Sequence, residues 1–219
     1  LALSGKLRLR FSNKRLLTLR GITGGIAVFL FYLSISKIGL AKGTVIVNTY
    51  PLFATLGGAL LLKERVRPLA WLFILSCLIG MVLINYDPSA RSFDVTAWDG
   101  LALVGSLLSA VAVIAVRKLS ETDTPHAIFM SQCVFGIWIV IIPANIVPVE
   151  IGIIGGLLLL SIGLVATGGQ ILMTWAYGKI DVSTGSLLSL LMMVFNVILG
   201  TVLFHEVQNA FGILGMATI

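Results

Sequence analysis

Residues 43–68 read GTVIVNTYPLFATLGGALLLKERVRP, a mostly apolar run closed by Lys63, Glu64, Arg65 and Arg67. About 20 such residues cross the ~30 Å hydrocarbon core of a bilayer as a helix, so the stretch is read as a membrane span with a charged foot. Thr44, Asn48, Pro51 and Thr55 recur at helical spacing along one face, which places a polar stripe and a helix-breaking proline at mid-membrane depth. A span that serves only as an anchor needs neither. The pattern returns 142 residues later as STGSLLSLLMMVFNVILGTVLFHE, residues 183–206.

The surrounding chain is of the same kind. Its 219 residues are 58% hydrophobic, with a mean hydropathy of +1.07, which is more apolar surface than one water-soluble core can bury. The net charge of +6 is unevenly spread: Lys6, Arg8, Arg10, Lys14, Arg15 and Arg20 precede the first span with no acidic residue among them. Such a juxtamembrane cluster is an orientation signal and a contact for anionic headgroups, and nucleic acid is not an expected partner. Cys77 and Cys133 lie singly in apolar runs, which indicates neither a disulfide framework nor a metal site.

Spans are expected at about Leu19–Ser36, Gly43–Leu62, Leu69–Tyr86, Asp99–Val116, His126–Val147, Ile151–Tyr177 and Val182–Phe204, with an eighth beginning near Ala210. Gly39 to Lys42 are read as the tight connection between the first two, Pro68 as the start of the third, and Pro143 and Pro148 as marks of a frayed end of the fifth. With the basic lead on the cytoplasmic side, twelve Lys and Arg residues fall there and three, Lys37, Lys42 and Arg91, on the other. That asymmetry follows the positive-inside rule and supports the span count.

Sliding the chain by 142 residues aligns Gly21 with Gly163, Lys37 with Lys179, Gly43 with Gly185, Phe53 with Phe195, Gly58 with Gly200 and Glu64 with Glu206, without a gap. Five spans separate the copies, an odd number, so the copies cross the membrane in opposite directions. This is the inverted repeat of secondary transporters, whose substrate site lies near the midplane between repeats.

Gly39-Leu-Ala-Lys-Gly-Thr at a helix hairpin, Tyr50-Pro51 in mid-span and Leu62-Lys-Glu-Arg at the span's end resemble an EamA-type domain of the drug/metabolite transporter superfamily. Lys179-Ile-Asp-Val-Ser-Thr-Gly-Ser through His205-Glu206 resembles a second such domain, with Met193 standing where the first has Pro51. The resemblance implies an all-α, polytopic membrane bundle of two inverted EamA repeats. Residues 1–86 would belong to the first, 87–98 to an extracytoplasmic connection, and 99–219 to the second. It also implies a ten-helix plan, of which about eight spans are present here, the first two and part of the last being absent. The superfamily's substrates range over amino acids, drugs, nucleotide sugars and other metabolites.

The expected substrate-contacting residues are Tyr32, Asn48, Tyr50, Pro51, Gln170, Thr174, Trp175, Met193 and Asn196. An amide such as that of Asn48 cannot face hydrocarbon unpaired, so it lines a cavity or bonds to a neighbouring helix. Thr167, Gln170, Thr174 and Tyr177 form a second polar stripe, and the repeat offset sets Tyr32 opposite Thr174 and Pro51 opposite Met193. Tyr50 and Trp175 read equally as packing or interfacial aromatics. Glu64 and Glu206 fall at span ends and are read as ion-pair or end-cap residues. All nine acidic residues lie in loops or at span ends, and no Lys, Arg or His is expected at mid-span.

There is no GxSxG segment for a serine hydrolase and no GxxxxGK[ST] phosphate loop for an ATP-driven pump, so neither enzyme nor pump is expected, and no cofactor. The expectation is a secondary transporter in the cell membrane that moves a small organic solute by alternating access. The bilayer and a small-molecule substrate are its partners, and a homodimer is left open. The competing reading is a membrane-embedded receptor or scaffold whose polar stripes only hold helices together.

Overall fold

A computed structural model of the chain describes residues 9–84, 96–146, 152–204 and 213–214. The described residues form eight helices: α1 (Lys14–Ile38), α2 (Leu40–Val47), α3 (Tyr50–Leu61), α4 (Pro68–Ile84), α5 (Ala97–Leu119), α6 (Pro125–Ile146), α7 (Ile153–Tyr177) and α8 (Val182–Phe204). The spans α1, Lys42–Leu61, α5 and α7 are each long and apolar enough to cross a membrane, and shorter apolar helices lie within α4, α6 and α8. With α2 and α3 together filling one expected span, helices stand at seven of the eight expected positions. The eighth, near Ala210, and most of the 87–98 connection lie outside the described residues.

Local chemistry sets the helix boundaries. Asn13 caps α1, its Oδ1 accepting the Leu16 amide at 3.1 Å. Gly39 ends it with φ +83°, a left-handed conformation that glycine adopts without a Cβ clash. The connection expected over Gly39 to Lys42 is therefore Gly39 alone, since α2 resumes at Leu40. Pro68 opens α4, where its missing N–H costs nothing. Thr96 and Asp99 form a reciprocal capping box at the start of α5. The expected fraying at Pro143 does not occur, because α6 runs through that residue to Ile146.

Lipid supplies no hydrophobic drive between helices, so association rests on close contact and polar links. α1 packs along α5 and α6 through small residues. A Cβ added at Gly21 would come within 2.7 Å of the Ser131 carbonyl oxygen, and one at Gly25 within 3.2 Å of the Gly136 backbone. At the end of the bundle where α1 begins, Leu17, Ala54, Val113, Val116, Leu119, Ile128, Tyr177 and Val182 form one buried cluster. By contrast α7 presents most of its length outward, Ile154 and Val165 each being 77% exposed, a surface suited to hydrocarbon.

One placement corrects the sequence reading. Arg20, counted with the hydrated basic lead, lies in the second turn of α1 and is 4% exposed. The helix starts earlier than expected because the Asp123 carboxylate, itself buried in the α5–α6 loop, accepts the amides of Ser12 and Asn13. Leu16 and Leu17 then already pack against the bundle, and Arg20 follows them inside.

Candidate functional site

The polar stripe of residues 43–68 coincides with a break in the helix. α2 stops at Val47 and α3 restarts at Tyr50, while Asn48 and Thr49 form a turn at φ near −75°. Pro51, fully buried in the first turn of α3, cannot donate to the preceding turn, so the helix is interrupted where the proline predicts. The side chains of the turn bond back onto carbonyls of α2. Asn48 Nδ2 donates to the Thr44 carbonyl at 2.8 Å, and Thr49 Oγ1 to that of Ile46 at 2.7 Å. Thr49 Oγ1 also shares a hydrogen bond of 2.9 Å with Ser106 Oγ of α5.

The interrupted helix runs parallel to α5 and is tied to it at three levels. Lys42 Nζ pairs with Asp99 at 2.8 Å at one end, Thr49 meets Ser106 in the middle, and Glu64 pairs with Arg117 at 3.1 Å at the other end. The first two ties share a sequence offset of 57 residues and the third has 53. The four extra residues on the α2–α3 side all fall between Thr49 and Glu64, where the chain leaves the helix after Leu61. There Lys63 takes φ +56°, unusual without glycine and costing on the order of 1 kcal/mol, and turns Glu64 back onto the bundle. Glu64 Oε2 then accepts the Val182 amide at the start of α8 at 2.9 Å.

Below the break, hydroxyl groups from three helices converge. Tyr50 OH bonds to Ser189 Oγ of α8, Tyr177 OH of α7 reaches Ser186 Oγ at 3.5 Å, and the two tyrosine hydroxyls are neighbours. Tyr177 is 2% exposed and its ring lies against Gly185, where a Cβ would come within 2.4 Å. Along α7, Thr174 is fully buried and donates to the Gln170 carbonyl at 2.7 Å. Gln170 Oε1, Thr44 Oγ1 and Thr55 Oγ1 are buried hydrogen-bonding atoms without a partner among the described residues. Buried polar atoms left open in this way can hydrogen-bond a solute.

Asn48, Tyr50, Pro51, Gln170 and Thr174 thus lie inside the bundle, on α2–α3 and α7. Tyr32 is 67% exposed and stacks edge-on against Phe31, and Trp175 is 54% exposed beneath Lys179 Nζ at 4.0 Å; neither joins the hydroxyl cluster. Met193 and Asn196 lie in α8, with side chains outside the described residues. Thr49, Ser106 and Ser189 were not singled out from the sequence. Ser189 lies one turn beyond Ser186 and was within reach of a stripe argument, whereas nothing local marks Ser106.

The chain matches the model of the EamA-like transporter family over residues 2–86 and 96–219. It is 28% identical over 203 residues to the pseudopaline exporter CntI of Pseudomonas aeruginosa, covering 91% of this chain and 70% of the exporter. It is 26% identical over 213 residues to human solute carrier family 35 member G1, covering 88% of this chain and 56% of the carrier. A solved crystal structure superposes on 92% of this chain and 72% of its own with a TM-score of 0.78 at 19% identity, which is a likeness of fold.

Proposed function

Because the chain belongs to the EamA-like transporter family, and is a multi-pass membrane transporter of the drug/metabolite type, we propose that it carries a small organic solute by alternating access across the cell membrane. The solute site lies where α2–α3 is interrupted and the hydroxyls of Tyr50, Tyr177, Ser186 and Ser189 meet. The observation that carries this reading is the interruption itself. A broken helix inside a membrane costs backbone hydrogen bonds and is tolerated where it lines a cavity or a solute path.

In the proposed cycle Asn48, Gln170 and the tyrosine hydroxyls exchange hydrogen bonds with solute, and the two charged ties govern access. Glu64–Arg117 closes the end where the basic residues cluster, by fastening the α7–α8 hairpin to α3 and α5. Lys42–Asp99 holds α2 to α5 at the opposite end. An open path on either side requires the corresponding tie to loosen, so the two mark the ends of the path.

The test is counterflow in vesicles containing the full-length protein. Vesicles are loaded with a defined mixture of amino acids, nucleosides and vitamins, and the solutes that leave are identified by mass spectrometry. Movement of at least one solute above protein-free vesicles, reduced tenfold or more by Tyr50→Phe, is expected. Solute movement that is the same with and without protein for every compound would favour the receptor or scaffold reading instead.

A further inference from the structure

Arg20 is a positive charge inside the bundle with no negative partner among the described residues. Its Nη2 donates to Gln132 Oε1 of α6 at 2.6 Å, and its Nε, also buried, has no partner. A lysine or arginine near a span end usually snorkels back towards water. Arg20 does the reverse: its Nη1 lies beside Gly24, where an added Cβ would be 1.9 Å away, so the guanidinium extends along α1 into the bundle. Gly24, with no side chain, leaves the space it occupies.

Every acidic side chain among the described residues is engaged elsewhere. Glu64 pairs with Arg117, Asp99 with Lys42 and Glu121 with Lys118. Asp123 holds the amides of Ser12 and Asn13, and Asp181 the hydroxyls of Ser183 and Thr184. An arginine buried in a membrane helix is expensive, and one hydrogen bond to a neutral carbonyl oxygen does not balance it. The guanidinium offers five donors in a planar fork that matches an oxyanion, and Gln132, whose oxygen is already taken, still has its NH₂ donors free for the same ligand.

We propose that Arg20 and Gln132 form a binding site for one oxyanion, a carboxylate or a phosphate, at the seam between α1 and α6. Leu19 and Cys133, the adjacent residues on those helices, both reach the surface, so the site lies about one side chain below it. Two sources present this chemistry there: a water-borne anion, or the phosphate of a lipid headgroup. This site stands apart from the hydroxyl cluster and does not rest on the transport reading.

The experiment is thermal unfolding of the purified full-length protein in neutral detergent at constant ionic strength, with three additions: succinate, inorganic phosphate, and phosphatidylglycerol. A saturable rise in Tm of about 3 °C or more with at least one of them is expected, and its loss in Arg20→Gln. A response to succinate or phosphate identifies a water-borne oxyanion, and a response to phosphatidylglycerol alone identifies a headgroup. If Arg20→Gln does not accumulate, Arg20→Lys serves, since it keeps a charge but not the fork, and about a tenfold higher half-saturating concentration is expected. No saturable rise with any of the three, or a substituted protein with the same rise and the same midpoint as the wild type, overturns the proposal.

Discussion

Glu64 and Arg117, 53 residues apart in sequence, together cap the two helix ends that meet at the α7–α8 turn. Glu64 Oε1 accepts from Arg117 Nε at 3.1 Å while Oε2 accepts the first amide of α8, and Arg117 Nη1 donates to the Tyr177 and Gly178 carbonyls at the end of α7. A carboxylate at a helix N-terminus and a cation at a C-terminus both oppose the local helix charge, so one ion pair serves two helix ends.

That arrangement predicts coupling. Glu64→Ala and Arg117→Ala are each expected to lower stability by ~1–3 kcal/mol, because each leaves the other charge poorly hydrated. The double variant should lose less than the sum of the singles. Denaturant unfolding of the four proteins in detergent checks this, and strict additivity would show that the residues act independently.

Tyr50→Phe removes one hydroxyl from the cluster and leaves its ring packing intact. Solute transport is expected to fall roughly tenfold through a raised KM, as the loss of one hydrogen bond worth ~1.4 kcal/mol implies. Ser189→Ala removes the same bond from the other side, so adding it to Tyr50→Phe should change little more. Initial rates against solute concentration in vesicles distinguish this from a fall in protein level.

Asn48→Ala and Gln170→Ala are expected to impair transport, since one stabilises the helix break and the other carries an open buried acceptor. Glu121→Gln is expected to leave transport unchanged, because Glu121 is half-exposed and forms only a surface pair with Lys118, 2.7 Å away. The three variants, assayed at equal abundance, form one comparison. Loss of transport in Glu121→Gln with full activity in Asn48→Ala would reverse the assignment.

Asp181 heads α8. Burial opposes ionisation of its carboxyl, but hydrogen bonds from the Ser183 and Thr184 side chains and the Thr184 amide outweigh this and hold it below the usual carboxylate range. Its contribution is therefore present above the unfolded value, near pH ~4, and is lost as pH falls through the lower folded value. Asp181→Asn is expected to be less stable than wild type at neutral pH by ~1 kcal/mol or less, with the difference vanishing in acid. Thermal unfolding from pH 7 to pH 3 measures it, and a difference that widens towards acid would contradict it.

Gly185→Ala is expected to push the Tyr177 ring from its seat, and Gly21→Ala to part α1 from α6 at the Ser131 carbonyl. Each should cost ~1–3 kcal/mol, as overpacking does elsewhere. Lower Tm and lower yield in both, with little effect of Ala at the open Gly163, would confirm that contact rather than helix propensity decides these positions.

The sequence by itself determined the elements and their order. Long apolar runs closed by charges can only be membrane spans, and the span limits expected for α5, α7 and α8 lie within a few residues of the helices observed. It also located the interruption, because a proline one turn beyond an asparagine disrupts a helix from within its own few residues. These are local consequences of composition and spacing. Tertiary structure decided which groups meet across long separations: Tyr50 with Ser189, Thr49 with Ser106, Glu64 with Val182, Asp123 with Ser12. It also decided the environment of Arg20, which spacing assigns to a hydrated lead and which the cap at Asn13 and the packing of α6 place inside. Apolar periodicity fixes where a helix begins and ends within a few residues. Near the membrane boundary those few residues separate a hydrated charge from a buried one, and only the packed neighbours settle which it is.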